Sequence, residues 1–312
     1  MGSLVGHVIP GFAFLALGLW HLFNNIKLFC LHPKTFNSST WFPISKLGHL
    51  ELYLIMLSSS ASISMELFIG PRRHHPFDSD GTIPSNHLHN FEHSSISMSF
   101  LVYAVLALVL DRARPRPAAS EGLTMLAAAA AFSQQLLLFH FHSTDHMGVE
   151  GQYHLILQVV IFVSLLTTIM GIFLPKSFLV SLVRSSSIAF QGVWLIVMGC
   201  MLYIPSLIPK GCYIHDEERH LVVKCSTEEA LHRAKSLVNI EFSWLFVTNT
   251  IFVIILYLIL DRVYDENVEY SSLNTSYQTK QDDEEEQHLV SKSTQKTSFV
   301  QMGKLVGHGQ KM

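Results

Sequence analysis

Seven stretches of the chain are each about 20 residues long and mostly apolar: roughly 5–29, 47–69, 86–110, 121–142, 151–174, 180–208 and 238–260. A helix that crosses the hydrocarbon core of a bilayer needs roughly 20 such residues. Inside lipid its backbone N–H and C=O groups must be satisfied within the segment itself, which restricts spanning structures to helices and closed barrels. The pattern therefore predicts an all-α fold, a polytopic membrane bundle of about seven transmembrane helices. Composition agrees, because only 14% of the 312 residues are charged, against about a quarter in a soluble domain. The formal net charge of −3 gives nucleic acid no electrostatic foothold; the expected partner is the lipid bilayer. The N-terminus lacks a basic region and a small-residue cleavage site, so 5–29 reads as the first span and not as a cleaved signal peptide.

Short cytosolic loops carry an excess of Lys and Arg. Lys27, Lys34 and Lys46 follow the first segment, Arg112, Arg114 and Arg116 the third, and Lys176 and Arg184 the fifth. This bias predicts an N-terminus on the outer or lumenal side and a cytosolic C-terminus. Cys212 and Cys225 then share an outer loop where a disulfide is permitted; two free thiols fit the sequence equally well. The sequon at Asn37 falls on a cytosolic loop, so its glycosylation would overturn the assignment. Residues 1–264 form the expected transmembrane domain. Residues 265–312 are rich in Ser, Thr, Gln and acid and cannot bury a core, which predicts a disordered cytosolic tail. There Tyr270-Ser-Ser-Leu273 has the form of a tyrosine-based sorting signal, and Glu286-Gln-His-Leu-Val resembles an acidic dileucine signal. Both point to cytosolic sorting adaptors, against the plainer reading of a solvated tail.

The spans are not uniformly apolar. Ionisable groups cost roughly 2.5–3.5 kcal/mol each at the centre of a membrane helix and normally face the bundle interior. At helical spacing, His7, Gly11, Gly18 and His21 share one face of the first helix, and Glu51, Ser58, Ser62 and Glu66 one face of the second. His89, His93 and Ser97 form a row on the third, Gln135 and His142 on the fourth, and Glu150, His154 and Gln158 on the fifth. Helix 6 carries Ser187, Gln191 and Trp194, and helix 7 opens with Glu241. Because successive helices alternate in direction, His7, Glu66, His89, His93, His140, His142, His154 and Glu241 all fall towards the outer side. Glu51 and His21 lie nearer the cytosol.

Such a cluster has a definite chemistry. Neutral imidazole binds zinc, copper, iron and nickel, and zinc takes His nitrogen and carboxylate oxygen tetrahedrally. The expected ligands are His93, His140 or His142, and His154, with His7 and Glu66 close by. Glu66, Gln158 and Gln191 are positioned to orient the rings. On an ideal helix His140 and His142 point about 200° apart, so they are alternatives unless the helix frays there. His146 lies in the following turn. The competing reading is that these groups only hydrogen-bond helices together, at about 0.6 kcal/mol each on average. Four functions follow: a zinc-dependent lipid hydrolase activating water, a metal or proton transporter, a b-type haem protein with His93 and His140 as axial ligands, or a non-catalytic trafficking or stress-response protein acting through its tail.

Gly6-His7-Val-Ile-Pro10-Gly11, Met65-Glu66-Leu67-Phe68, Asn90-Phe-Glu-His93-Ser94, Phe139-His140-Phe-His142, His154 and Phe190-Gln191-Gly192-Val-Trp194 occur in an order and spacing that together resemble the transmembrane protein 45 family, whose plant members are described as viral-response proteins. The resemblance runs from helix 1 into helix 7. It implies a multi-pass α-helical membrane protein in which His7, Glu66, His93, His140, His142 and His154 are recurring positions. It implies no reaction. Animal members place a His beside a Trp at the start of helix 7, where this chain has Phe242-Ser-Trp244.

Overall fold

A computed structural model of the chain describes residues 4–44, 47–69, 75–145, 148–217 and 220–264. Within these, only the backbone is described at 86, 142–145, 216–217 and 220. Residues 265–312, and with them the two sorting-type motifs, lie outside the described residues.

Among the described residues, seven helices are long and apolar enough to cross a membrane. They are α1 (Leu4–Leu31), α2 (Leu50–Ser64, continued by a π-helical turn Met65–Ile69), α3 (Leu88–Arg112), α4 (Ser120–Asp145), α5 (Val149–Phe173), α6 (Phe178–Tyr203) and α7 (Glu228–Tyr264). The fold is the multi-pass bundle that the seven apolar stretches predict. Two features differ from that prediction. Helix α7 begins ten residues before 238, because the polar stretch from Glu228 continues the same helix beyond its apolar part. The α6–α7 connection is also ordered, as an antiparallel hairpin of β1 (Cys212–Glu217) and β2 (His220–Cys225) whose ends are joined by a Cys212–Cys225 disulfide. The compact unit comprises Met1–Leu258, and the described part of the remainder, 259–264, is the end of α7.

The tightest packing is between α1 and α6. A Cβ on Gly11 would stand 2.7 Å from Ile196 Cγ1, and one on Gly199 would stand 2.9 Å from His7 Cβ. At Gly18 and Gly192 it would fall into the backbones of Ala189 and Leu15. Without a hydrophobic force between helices in lipid, such small-residue contacts let backbones approach and supply dispersion energy. The pairs run antiparallel, His7 beside Gly199 and Gly18 beside Ala189, and a bond from Asn25 Nδ2 to Ser185 Oγ (2.9 Å) continues the seam.

The interior is layered. Nearest the face that carries the start of α1, here the amino face, Phe139, Tyr153, Leu157, Trp194 and Met198 form one core, joined by Val223 of the hairpin and Val238 of α7. The opposite half holds a smaller core of Leu52, Tyr103, Ala104, Ala107 and Ala131. Between them Phe14, Phe100 and Phe132 stack edge to face, with centroids 5.4 and 5.5 Å apart, spanning α1, α3 and α4. Helix α7 joins through Tyr153 Oη to Glu241 (2.8 Å), Asn249 Nδ2 to Ser186 Oγ (2.9 Å), and Phe242 against Trp194 and Phe190.

Gly18→Leu is expected to cost at least about 1–3 kcal/mol, the range for overpacked cores, since backbone cannot move aside as a side chain can. Gly122→Leu, with nothing within 4 Å of its Cβ position, serves as the control. Thermal unfolding of both variants in one detergent checks this; equal melting temperatures would contradict the close α1–α6 seam.

Candidate functional site

The amino-face polar residues of six helices condense into a few specific contacts. His7 lies in the second turn of α1, and Gly199 leaves the room for its approach to α6. Its ring meets His154 of α5 nearly edge-on at 6.1 Å and lies 5.4 Å from the ring of Tyr203, the last residue of α6. His7 and His154 are 5% and 2% exposed, so both imidazoles sit in the low-dielectric interior. His154 Nδ1 is 2.9 Å from the Glu150 carbonyl. A carbonyl only accepts, so Nδ1 carries the proton and the lone pair of the neutral ring is on Nε2. That backbone arrangement is the one that fixes the tautomer of metal-ligating histidines.

His93 is also buried, on α3, and Phe139 touches both it and His154. The Phe139 ring is 6.2 Å from His93 and 5.9 Å from His154. Thus in the Phe139-His140-Phe141 run it is the phenylalanine that turns into the bundle. His140 lies on the exposed side of α4, where Nδ1 is 3.1 Å from Gln158 Oε1. Gln158 Nε2 donates to the Phe139 carbonyl at 3.4 Å, which sets the amide orientation and ties α5 to α4. The side chain of His142, three residues after Phe139, lies outside the described residues, as does His146.

Glu66 sits in the π-helical turn that ends the second span. Such turns commonly mark functional positions, and here the extra residue brings Glu66 to a buried place where Asn90 Nδ2 donates to its carboxylate at 2.9 Å. Of the i, i+4 pair, His93 faces inward, while His89 is half-exposed with Nδ1 3.2 Å from Glu92. Gln191 is fully buried on α6, and its amide makes no hydrogen bond to a described residue. Among the described residues no group of three or more His, Cys, Asp and Glu side chains comes close enough to hold a metal ion. What the fold does assemble is the His7–His154 pair, flanked by Tyr203 and by Phe139, whose ring also meets His93. Spacing alone finds His7, His93 and His154. Tyr203 and Phe139 carry no such signal, because a tyrosine at a helix end and a phenylalanine in a span are ordinary.

A second polar cluster occupies the opposite half. Glu51 accepts from Trp20 Nε1 (3.0 Å) and the Phe42 backbone N–H (2.8 Å), and its other oxygen is 2.8 Å from His21 Nε2. Arg184, counted by sequence as a loop cation, is instead in the second turn of α6 and only 4% exposed. It donates to Ser38 Oγ (2.9 Å), the Ser39 carbonyl (3.1 Å) and the Met125 sulfur (3.1 Å), while Tyr103 donates to the Thr40 carbonyl at 3.1 Å. The α1–α2 connection, with Phe36 and Phe42 buried, is thereby folded into this end of the bundle. The positive-inside count loses one residue to this network.

The fold and this arrangement define a seven-helix membrane protein with a buried histidine pair near its amino face. Residues 121–258, less than half of the chain, match the model described as "Family of unknown function (DUF716)", the family that contains the transmembrane protein 45 proteins. The match spans α4 to α7, with His140 and His154, and leaves His7, Glu66 and His93 outside it.

The two carboxylates are expected to differ in kind. Glu51→Ala strands three donors and is expected to cost about 3–5 kcal/mol, as for a broken buried charge network. Glu66→Ala breaks one bond, at about 1–3 kcal/mol for the donor left behind. Thermal melts of the two variants in the same detergent measure the order; Glu66→Ala falling further than Glu51→Ala would reverse the assignment of the structural carboxylate.

Proposed function

We propose that this is a member of the transmembrane protein 45 group that holds a transition-metal ion, zinc favoured, in the amino-face half of the bundle. His7 and His154 are the primary ligands, and the third comes from His142 or, by a shift of Phe139, from His93. The observation that carries this reading is the burial of His7 and His154 together with the carbonyl-fixed tautomer of His154. Two imidazoles on one tetrahedral zinc at about 2.0–2.1 Å have ring centroids about 5 Å apart. The observed 6.1 Å is within a side-chain adjustment of that value. Glu66 is held by Asn90 and His140 by Gln158. Zinc at this position would supply Lewis acidity towards a carbonyl and a water acidic enough to ionise near neutral pH, the chemistry of a hydrolase acting on a lipid ester or amide. His7 and His154 would hold it, the Glu150 carbonyl would orient His154, and Phe139 and Tyr203 would exclude bulk water.

The amino face is assigned to the exoplasmic or lumenal side. Support comes from the Cys212–Cys225 disulfide on that face, a bond of oxidising compartments, and from Arg112, Arg114, Arg116 and Lys176 at the opposite one. The transport reading gains nothing comparable. Phe14, Phe100 and Phe132 fill the α1, α3 and α4 side between its two polar levels, while Gln135, Gln191, Ser164 and Ser187 are buried on α4, α5 and α6.

Plasma mass spectrometry and an absorption spectrum of the detergent-purified protein test the proposal. The expected result is near-stoichiometric zinc, lost in His7→Ala/His154→Ala that still melts cooperatively. A Soret band would replace zinc by haem. Folded wild-type protein free of metal and haem would leave the histidines as helix-joining groups only.

A further inference from the structure

A groove of 440 Å³ runs between α2, α3 and α4, from Leu67 and Phe91 near the amino face to Leu106. Ala127, Ala130 and Ala131 form its floor on α4. Every lining residue belongs to a membrane span, and Met98, Val102 and Leu106 on its wall are exposed apolar side chains, which suits an opening into hydrocarbon. Along α3 it extends from Phe91 to Leu106, about 22 Å at 1.5 Å per residue, which is longer than half of an about 30 Å bilayer core. Its volume lies within the about 300–1,000 Å³ of ordinary ligand pockets.

The polar groups in the wall decide what can lie there. Ser94 and Ser95 both donate to the Phe91 carbonyl at 2.9 and 2.7 Å, and Ser99 to the Ile96 carbonyl at 2.7 Å. Tyr103 donates away from the groove to Thr40, and Gln134 Nε2 donates to the Ser95 carbonyl at 3.3 Å. The serine and tyrosine hydroxyl hydrogens are spent on backbone, and the Gln134 amide at the rim keeps one N–H and its oxygen, so most of the surface offered is aliphatic in chemistry although serine-rich in sequence. Serine and alanine act here as small residues that create depth. A long, largely apolar groove facing lipid fits a methylene chain.

We propose that this groove seats an acyl chain of a glycerophospholipid from the amino-face leaflet. Glu66 and Glu92 adjoin the lining residues Leu67 and Phe91 in sequence and disfavour the carboxylate of a free fatty acid at that level. Ser94 directly follows His93 and Leu67 directly follows Glu66, so the carbonyl end of the seated chain comes to the level of the histidine cluster. That the lipid is a ligand or substrate of that cluster rests on the metal reading; the seating of the chain does not.

The full chain in phosphatidylcholine nanodiscs, with a diazirine-bearing acyl chain in the lipid, tests this. After illumination, adducts at Met98, Val102 and Ala130 should exceed those at Phe252 and Ile255 on lipid-facing α7 several-fold. Ser99→Phe/Ala130→Phe should remove the groove adducts and spare those on α7. Even labelling of the two regions, or groove labelling that survives the double substitution, overturns the proposal. So does labelling by a diazirine fatty acid with none from the phospholipid. The wild-type ratio decides alone if the filled variant does not fold. Groove labelling retained in protein that holds no metal would leave the seating intact and remove the metal reading, so the two failures are separable.

Discussion

The close approach of α1 and α6 is the contact on which the rest depends. Four glycines, Gly11, Gly18, Gly192 and Gly199, occupy places where a Cβ would collide with the facing helix. In lipid, where apolar side chains gain nothing by leaving the solvent, backbone proximity and dispersion must supply association. The same seam determines chemistry at both ends. At the amino face Gly199 admits His7 to the interior beside His154 and Tyr203. Towards the opposite face the seam ends in the Asn25–Ser185 bond, next to His21 on α1 and Arg184 on α6.

The two polar levels built on that seam differ in character. Around Glu51 a single carboxylate gathers an indole, an imidazole and a backbone N–H, and buried Arg184 holds the serines of the α1–α2 connection. Each removal there strands a neighbour, the behaviour of a structural network. The amino-face level is a chain of rings, His93, Phe139, His154, His7 and Tyr203, placed edge to edge or tilted. Its imidazoles are set by helix packing, and the Glu150 carbonyl fixes Nδ1 of His154.

The flank formed by α2, α3 and α4 adds a different kind of feature. There the small residues are not answered by a facing helix, so the depth they create remains as a groove instead of closing into a seam. Serines on α3 thus have two fates in one protein. Ser97 bonds Ser62 across the α2–α3 contact at 2.8 Å, while Ser94, Ser95 and Ser99 fold back on their own helix and present carbon.

The sequence by itself determined the number of spans, their alternation and the gathering of histidines towards one face, since hydropathy and helical spacing act within single segments. It also marked His7, His93 and His154 as inward positions, because each falls on a stripe with other small or polar residues. It left His140 and His142 as alternatives, whereas the structure turns Phe139 into the bundle and places His140 on the exposed side, with the His142 side chain outside the described residues. On α4 a rotation of one residue exchanges phenylalanine for histidine inside the bundle, and that rotation is set by Gln158 on α5. Nor could charge counting show that Arg184 is buried, since its partners Ser38 and Ser39 lie some 145 residues away in sequence. Tertiary structure alone decided which ring meets which, which cysteines pair and which serines face lipid, because these depend on how neighbouring helices rotate against one another, a quantity that no single segment encodes.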